Sequence, residues 1–541
     1  LKLLRRLRSR GLRLVCAGPG RVGALAALLL VAGCGASEPD PAVPTSPGDA
    51  SAAVPAGALA APVDAPADVP PTSRGVLLFV CDTLRADRLS CYGYERPTPG
   101  IDRLASLGTL FERNHAQGHW TLPSMMSMLT GLYVHVESEA IPVRSPTLAE
   151  WLSEEGVRTA AFVGNNVIGR ERGFARGFDT FEIVADPYTR FEVLLDQFLA
   201  WHADQLRTRP GEPWFVWLHA MDPHAPYTPE PRDALYARTS TRPGGDELET
   251  RWRAASGLVA RANEGRDGYL SDDEAVRRMV RRSNAYDGEV VAIDRGVARL
   301  LQELERRGVL DETAIVFAAD HGEMLYEYPE YPAALADKRR RGDLANGLVD
   351  WFAAGHENWF YPELWRTPLI AIGPGFEPGV RTTALSANID IFPTVLAFLG
   401  VEAPPVLDGR HLSHALERSV VYGYGRRTTA VLEASGLQLV DFAPGKFAER
   451  ARQLLFDRTD SHLRDRARQQ ADDVTRLSAL IDEWRTGRAF EANMDVPEIT
   501  AHALRALGYA AIDEDGDTAD GPKAEIPPAP VEDDGEDEER R

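Results

Sequence analysis

The sequence predicts an α/β protein, with a central, mostly parallel β-sheet flanked by helices and a small C-terminal α+β subdomain. Three observations carry that reading. Apolar runs of strand length recur at 75–80, 158–163, 214–219, 314–319 and 368–373. Segments of helical periodicity lie between them. Polar residues follow several of the runs directly, as they do where a parallel sheet gathers its chemistry at the carboxyl ends of its strands.

In chain order, the first segment is not part of that fold. Lys2, Arg5, Arg6, Arg8, Arg10, Arg13 and Arg21 precede an apolar run at 24–32, and Gly33-Cys34-Gly35 follows it. The run is shorter than the roughly 20 residues a spanning helix needs. Basic region, apolar core and small residues have the shape of a secretory signal peptide over residues 1–33. The string LVAGC resembles a bacterial lipobox, which makes Cys34 the expected lipidation site. An ordinary signal peptide with an unrelated cysteine is the other reading. The expectation is an exported protein, lipid-anchored in a bacterial cell envelope at the outer membrane or the periplasmic face, with the membrane as a partner through its anchor. Residues 34–73, rich in Ala, Pro, Asp and Ser, read as a tether, with order beginning at Arg74.

From 74 to 415 the strand runs alternate with helical patterns: IDRLASLG, TLAEWLSEEG, and a long one from Asp273 to Arg307. Stretches at about 238–280 and 328–355 are long for connections and are expected to wall the site. Residues 416–512 change style. VVYGYGRRTTAVLEASGLQLVDF reads as two short antiparallel strands and 460–487 as a charged helix. Residues 513–541 hold 13 acidic and 3 basic side chains, a disordered acidic tail. The whole chain has 60 Lys plus Arg against 81 Asp plus Glu, a net charge of −21 that argues against nucleic acid as a partner. Of four cysteines, Cys16 and Cys34 belong to the export segment; Cys81 and Cys91 are too few for a disulfide framework, and Cys81 reads as a small buried residue.

Asp82 ends the first run, His219 and Asp222 follow the third, and Asp320 and His321 follow the fourth. Asp82, Asp320 and His321 supply two carboxylates and an imidazole, a donor set that suits zinc, manganese or calcium. Thr121 opens a helix-like stretch, where backbone N–H groups favour an anion. A hydroxyl there is either an N-cap or a nucleophile, and as a nucleophile it needs a base or a metal.

The segments VCDTLRADRLSCYGY, HWTLPSMMSMLTGLY, HAMDPHAPYTPE, DHGE and GHENWFYPELWRTPLIAIGPG together resemble the sulfatase family of the alkaline phosphatase superfamily. The resemblance runs in order from Gly75 to Leu412 and continues through LLFDRTDSHLRDRARQ and ALRALGYAA. It implies a catalytic domain over 74–415 that binds one or two divalent metal ions. Asp82, Thr121, Asp320 and His321 are then the metal set, and Thr121, His224 and His356 the catalytic residues, with His224 as general acid. His219, Asp222, His224 and His356 are candidates for a second metal or for substrate contacts.

This chain departs from the family's pattern in places. Thr121 stands where sulfatases have the Cys or Ser that is oxidised to formylglycine, and Met125 where they have Arg. Val163-Gly164-Asn165-Asn166 replaces a Lys-x-His pair, His356 replaces a Lys, and Thr83 replaces a second Asp ligand. These departures favour phosphate or phosphonate esters over sulfate esters. Glu323 is expected to orient His321, Arg85 and Asp87 to form a local ion pair, Asp287 to be structural, and His115, His119 and His135 to be structural or rim residues.

The resulting expectation is a metal-dependent hydrolase, or transferase, of phosphate, phosphonate or sulfate esters, acting on a small molecule, glycan or lipid headgroup through Thr121. The competing class is a non-catalytic sulfatase-like surface protein that binds glycans or a partner.

Overall fold

The computed structural model describes residues 73–486 except 134–138, 144, 185–188, 246–248, 252–271, 329–353, 357–359, 414–417, 426–427, 443–451 and 460–463. All belong to the unit Pro62–Arg541. The export segment, Cys34, the linker, residues 487–512, the acidic tail, His135 and much of both long connections lie outside the described residues.

The strands run β1 (Gly75–Cys81), β2 (Thr109–His115), β3 (Arg158–Val163), β4 (Thr180–Ile183), β5 (Trp214–Ala220), β6 (Thr313–Ala319) and β7 (Met324–Leu325). Then come β8 (Ala354–Gly355), β9 (Leu369–Ile372), β10 (Val380–Ala387), β11 (Val420–Gly425), β12 (Thr428–Glu433), β13 (Leu437–Phe442) and β14 (Arg452–Asp457). The helices are α1 (Pro99–Ser106), α2 (Thr121–Thr130), α3 (Leu148–Glu154), α4 (Phe191–Thr208), α5 (Asp272–Arg306), α6 (Pro362–Trp365), α7 (Ile391–Phe398) and α8 (Ala471–Thr486).

Eight strands form the main sheet, in the order β10-β2-β9-β6-β1-β5-β3-β4. All pairs are parallel except those of β9, which runs antiparallel to both β2 and β6. β1 sits at the centre, and alternation sends its side chains to two cores. Val76, Leu78 and Val80 join Trp217, Met125 and Phe392 on one face. Leu77, Phe79 and Cys81 join Phe191, Val290 and Phe317 on the other. Phe79 stacks on Phe191 at 4.3 Å and meets Phe317 edge-on at 5.3 Å, fixing α4 against the sheet.

Register is what positions the site. Cys81 lies level with Ala220 of β5 and Ala319 of β6, so the three central strands end on one rim. Asp82, Met221 and Asp320 are the residues that follow. All five apolar runs are strands. β2, β4 and β10 escaped the sequence pattern because their burial is broken by half-exposed or exposed residues, as in Glu112 and Arg113 of β2. The helices expected from TLAEWLSEEG and from Asp273 onward are α3 and α5, and Thr147 closes α3 with a capping box to Glu150.

The C-terminal subdomain departs from expectation. Its sheet has four antiparallel strands, β11-β12-β13-β14, and α8 covers only Ala471–Thr486 of the helix expected at 460–487. One turn was missed: Gly436 takes φ 99°, a left-handed bend that ends β12 and starts β13. This sheet shares a core with Ala116, Trp365 and Leu385, and Tyr424 of β11 bonds Ser127 of α2 at 2.6 Å. Cys81 is buried and, like Cys91, is not in a disulfide. Among the described residues no helix is long and apolar enough to cross a membrane.

Candidate active site

The rim of the sheet supplies the first layer. Asp82 extends β1 by one bond, its N–H donating to Ala220 O at 2.9 Å, and its side chain is fully buried. Thr83 then turns sharply, with φ 60°, a strained value for a β-branched residue. Three bonds hold it there. Thr83 N donates to Asp320 Oδ1 at 3.2 Å, Tyr286 Oη donates to Thr83 O at 2.8 Å, and Arg85 N donates to Tyr286 Oη at 3.0 Å. Helix α5, which carries Tyr286, is thus tied to the loop that follows β1.

Thr121 is the first residue of α2. The cap position belongs to Trp120, so Thr121 is not the N-cap allowed for in the sequence. Its hydroxyl instead faces the rim, 3.4 Å from Asp82 Oδ2 and 3.3 Å from His321 Nε2. The loop before it is fixed by Ser124, whose hydroxyl accepts from Gly118 N at 3.2 Å and donates to Gly118 O at 3.1 Å. Met125 and Met126, on the same helix, face the apolar core.

His321 Nδ1 meets Gly322 O at 2.8 Å, which makes Nδ1 the protonated nitrogen and leaves the Nε2 lone pair towards the site. Burial, and then the neighbouring His356, hold its pKa well below the usual value, so the ring is neutral. Nε2 lies 3.6 Å from Asp82 Oδ1 and 3.5 Å from Asp320 Oδ2. Both carboxylate oxygens are buried with no hydrogen-bond partner among the described residues. Burial works to raise the Asp82 pKa, but the surrounding histidines, His224 foremost, hold it below the usual carboxylate range. Burial and then the charge of Asp82 push Asp320 up. Lone pairs converging in a dry site are costly unless a proton or a cation joins them. Two carboxylate oxygens and an imidazole nitrogen fit a divalent metal.

His219, placed by sequence among candidates for a second site, stands beside the first. Its Nε2 is 3.5 Å from Asp82 Oδ2, and Asp82, His219 and Asp320 offer ligand atoms all within 4.8 Å of one another. The sequence reading missed Asn165, which follows β3 and donates from Nδ2 to Asp82 Oδ2 at 2.6 Å. The available signal was a polar pair one residue beyond an apolar strand, close to the signal that marked Asp82 and Asp320.

Beyond this cluster the rings of His321, His356 and His224 stand in a row, with centroids 4.5 Å and 5.2 Å apart. His224 Nδ1 meets Ala225 O at 2.6 Å, which turns Nε2 away from the backbone. Glu323 does not orient His321 as expected, because that role falls to Gly322 O. Glu323 is buried and takes His356 Nδ1 at 3.1 Å. Burial works to raise Glu323, but His356 keeps its pKa below the usual range. Asp222 is also reassigned. Its carboxylate accepts from Arg190 at 2.9 Å and from Phe191 N at 2.8 Å, anchoring the start of α4.

Other expectations fall where they were placed. Arg85 grips Asp87 through two bonds, at 2.8 and 2.6 Å, and also reaches Glu327 at 2.7 Å. Asp287 gathers Arg88, Tyr94 and Arg96, a structural role. His115 packs edge-on to Trp365 and His119 to Phe360, both buried.

Fold and rim together define an α/β protein with a candidate divalent-metal centre at the carboxyl ends of its central strands. The model of the Sulfatase family matches residues 74–401, well over half the chain, and the chain belongs to that divalent-metal-dependent hydrolase family. It is 23% identical to the N-acetylglucosamine-6-O-sulfatase of Bacteroides thetaiotaomicron, across 63% of this chain and 70% of that protein. It is 24% identical to the multifunctional alkaline phosphatase superfamily protein PehA of Trinickia caryophylli, across 63% of this chain and 76% of that protein. Among solved structures, one with its substrate D-glucosamine-2-N,6-O-disulfate superposes with a TM-score of 0.58 at 19% identity, covering 76% of this chain and 97% of that one. The phosphonate monoester hydrolase of Silicibacter pomeroyi gives 0.55 at 22% identity, covering 82% and 99%. These two likenesses show the fold.

Proposed function

We propose that the chain hydrolyses or transfers phosphate or phosphonate esters, with Thr121 as the nucleophile. The observation that carries this is the placement of the Thr121 hydroxyl, within 3.4 Å of both Asp82 Oδ2 and His321 Nε2 at the start of α2. Asp82, Thr121, Asp320 and His321 would hold the ion, with His219 beside Asp82. A zinc, manganese or calcium ion bound there supplies Lewis-acid polarisation and favours the alkoxide over the hydroxyl.

The remaining steps belong to the chain's own residues. The N–H groups of the first turn of α2 face the anionic group of the ester. Thr121 Oγ1 attacks phosphorus after its proton is lost to solvent, with Asp82 Oδ2 orienting the hydroxyl. The bond to the leaving oxygen breaks, and His224, acting as the imidazolium with its Nδ1–H held by Ala225 O, gives its Nε2 proton to the departing alcohol. Glu323 holds His356 against the same group. Water then cleaves the Thr121 ester in hydrolysis; an alcohol does so in transfer.

The preference for phosphorus rests on Thr121, which cannot yield the formylglycine aldehyde, on Val163-Gly164-Asn165-Asn166 in place of the Lys-x-His pair of sulfatases, and on His356 in place of a lysine. The substrate class is a small-molecule, glycan or lipid-headgroup ester; direct attack on a sulfate ester is the second chemistry of the same site. We place the protein in a bacterial cell envelope through lipidation of Cys34, an assignment that labelled-palmitate incorporation tests, with Cys34→Ser expected to abolish it.

The decisive experiment combines elemental analysis with a panel of aryl phosphate, phosphonate, phosphodiester and sulfate esters, using wild type, Thr121→Ala and Asp320→Ala. Bound metal lost in Asp320→Ala, with phosphorus-ester turnover lost in Thr121→Ala, supports the reading. Turnover of sulfate esters alone overturns the preference for phosphorus. No metal and no turnover overturn the enzyme and leave a binding protein on this fold.

A further inference from the structure

Asn165 carries no role in any step above, yet it is fully buried and both ends of its side chain are engaged. Oδ1 accepts from Val167 N at 2.8 Å, capping the short helical turn Asn166–Ile168. That bond settles which way the amide faces, so Nδ2 is the atom 2.6 Å from Asp82 Oδ2. The preceding residue seats it. Gly164 N donates to His219 O at 2.8 Å, and a Cβ on Gly164 would stand only 3.3 Å from that same oxygen and 3.2 Å from Met221 Cγ. Strand β3 therefore delivers Asn165 to the rim at close range to β5.

We propose that Asn165 is a positioning residue for the metal-binding carboxylate, orienting Asp82 so that Oδ1 is the oxygen presented to the ion. The inference rests on the metal centre proposed above. Oδ2 already receives the Asn165 amide and the Thr121 hydroxyl and lies 3.5 Å from His219 Nε2, whereas Oδ1 is buried with no hydrogen-bond partner among the described residues. A carboxylate free to rotate would share its two oxygens between these tasks; the amide removes that freedom. A neutral amide orients Asp82 without bringing in a positive charge that would compete with the ion.

The test is calorimetric titration of the metal-stripped full chain with Mn²⁺ and with Zn²⁺, for wild type, Asn165→Leu, Asn165→Ala and Asp82→Ala. Asn165→Leu keeps the side-chain volume and removes the donor. Its affinity is expected to fall about 10–100-fold, while the thermal midpoint measured in chelator changes by no more than about 4 °C. Asp82→Ala is expected to bind neither ion. An Asn165→Leu affinity within about twofold of wild type overturns the inference and leaves the metal centre standing. If the branched leucine fails to fold, Asn165→Ala carries the same comparison. A wild-type chain that binds neither Mn²⁺ nor Zn²⁺ nor, titrated alike, Ca²⁺ overturns this inference together with the centre on which it rests.

Discussion

At the scale of single residues, the site separates what a side chain is from what its neighbours make of it. Glu323 and Asp320 are both buried carboxylates three residues apart, yet His356 draws one down while the charge of Asp82 helps push the other up. Asp320 is therefore the acceptor that needs a cation, and Glu323 is the group that fixes a histidine. Removing Glu323 leaves His356 without the acceptor for its Nδ1–H. Glu323→Ala is expected to lower kcat about 10–100-fold with little change in metal content, measured by steady-state kinetics beside elemental analysis. Thr121→Ser keeps the hydroxyl and removes only a methyl group. It is expected to retain turnover within about tenfold of wild type, whereas Thr121→Ala loses at least about 10³-fold.

At the scale of elements, two pieces remote in sequence hold the catalytic segments. Tyr286 of α5 bridges Thr83 O and Arg85 N, locking a residue at φ 60°. Tyr286→Phe deletes one buried hydroxyl that serves two backbone groups. It is expected to destabilise the fold by about 1–3 kcal/mol in denaturant titration. An unchanged midpoint would show that the turn holds itself. The C-terminal sheet acts on the other segment. Tyr424 bonds Ser127 and Pro123 O of α2, and a Cβ on Gly425 would come within 2.1 Å of His119 Nε2, just before the nucleophile loop. Tyr424→Phe is expected to lower kcat while KM stays within about twofold, because the misplaced atom is the proposed nucleophile and not a binding group. Loss of thermal stability with kcat intact would make this sheet a scaffold only.

Periodicity explains which of these elements could be read in advance. The five buried runs stand out because both sheet faces are covered, so their residues are mainly apolar and the polar residues after β1 and β6 are conspicuous. Asp82, Asp320 and His321 were legible on that ground, and Thr121 through its motif. Glu323 and Asp222 were placed at the right depth but given the wrong partners, because partner choice depends on ring tautomers and on Arg190, distant in the chain. β2, β4 and β10 lack a continuous apolar run, and the antiparallel sense of β9 is a property of chain path that no local pattern encodes. Asn165 was passed over because an amide carries no charge and no recognisable ligand spacing.

At the scale of the whole molecule, the long helix α5 links one apolar face of the sheet, the loop that follows β1 and helix α1. It meets α1 through Asp294, whose carboxylate accepts from Ile101 N at 2.8 Å while lying almost fully buried. Burial raises its pKa to about 6, and the hydrogen bonds from the α1 amides only partly offset that. The sign of the linkage follows. The folded state binds this proton more tightly than the unfolded chain, so the stabilisation is complete at low pH, begins to fall as pH rises above about 4, and is gone once pH passes about 6. The difference amounts to roughly 1–3 kcal/mol. Asp294→Asn keeps an oxygen for Ile101 N and removes the charge. Relative to this variant, wild type is expected to lose stability between pH 4 and pH 6 and to hold a constant deficit above it, read from urea unfolding midpoints at each pH. Parallel midpoints for the two proteins across that window would mean that Asp294 ionises as freely inside the fold as outside it, with water or the α1 amides fully compensating its burial.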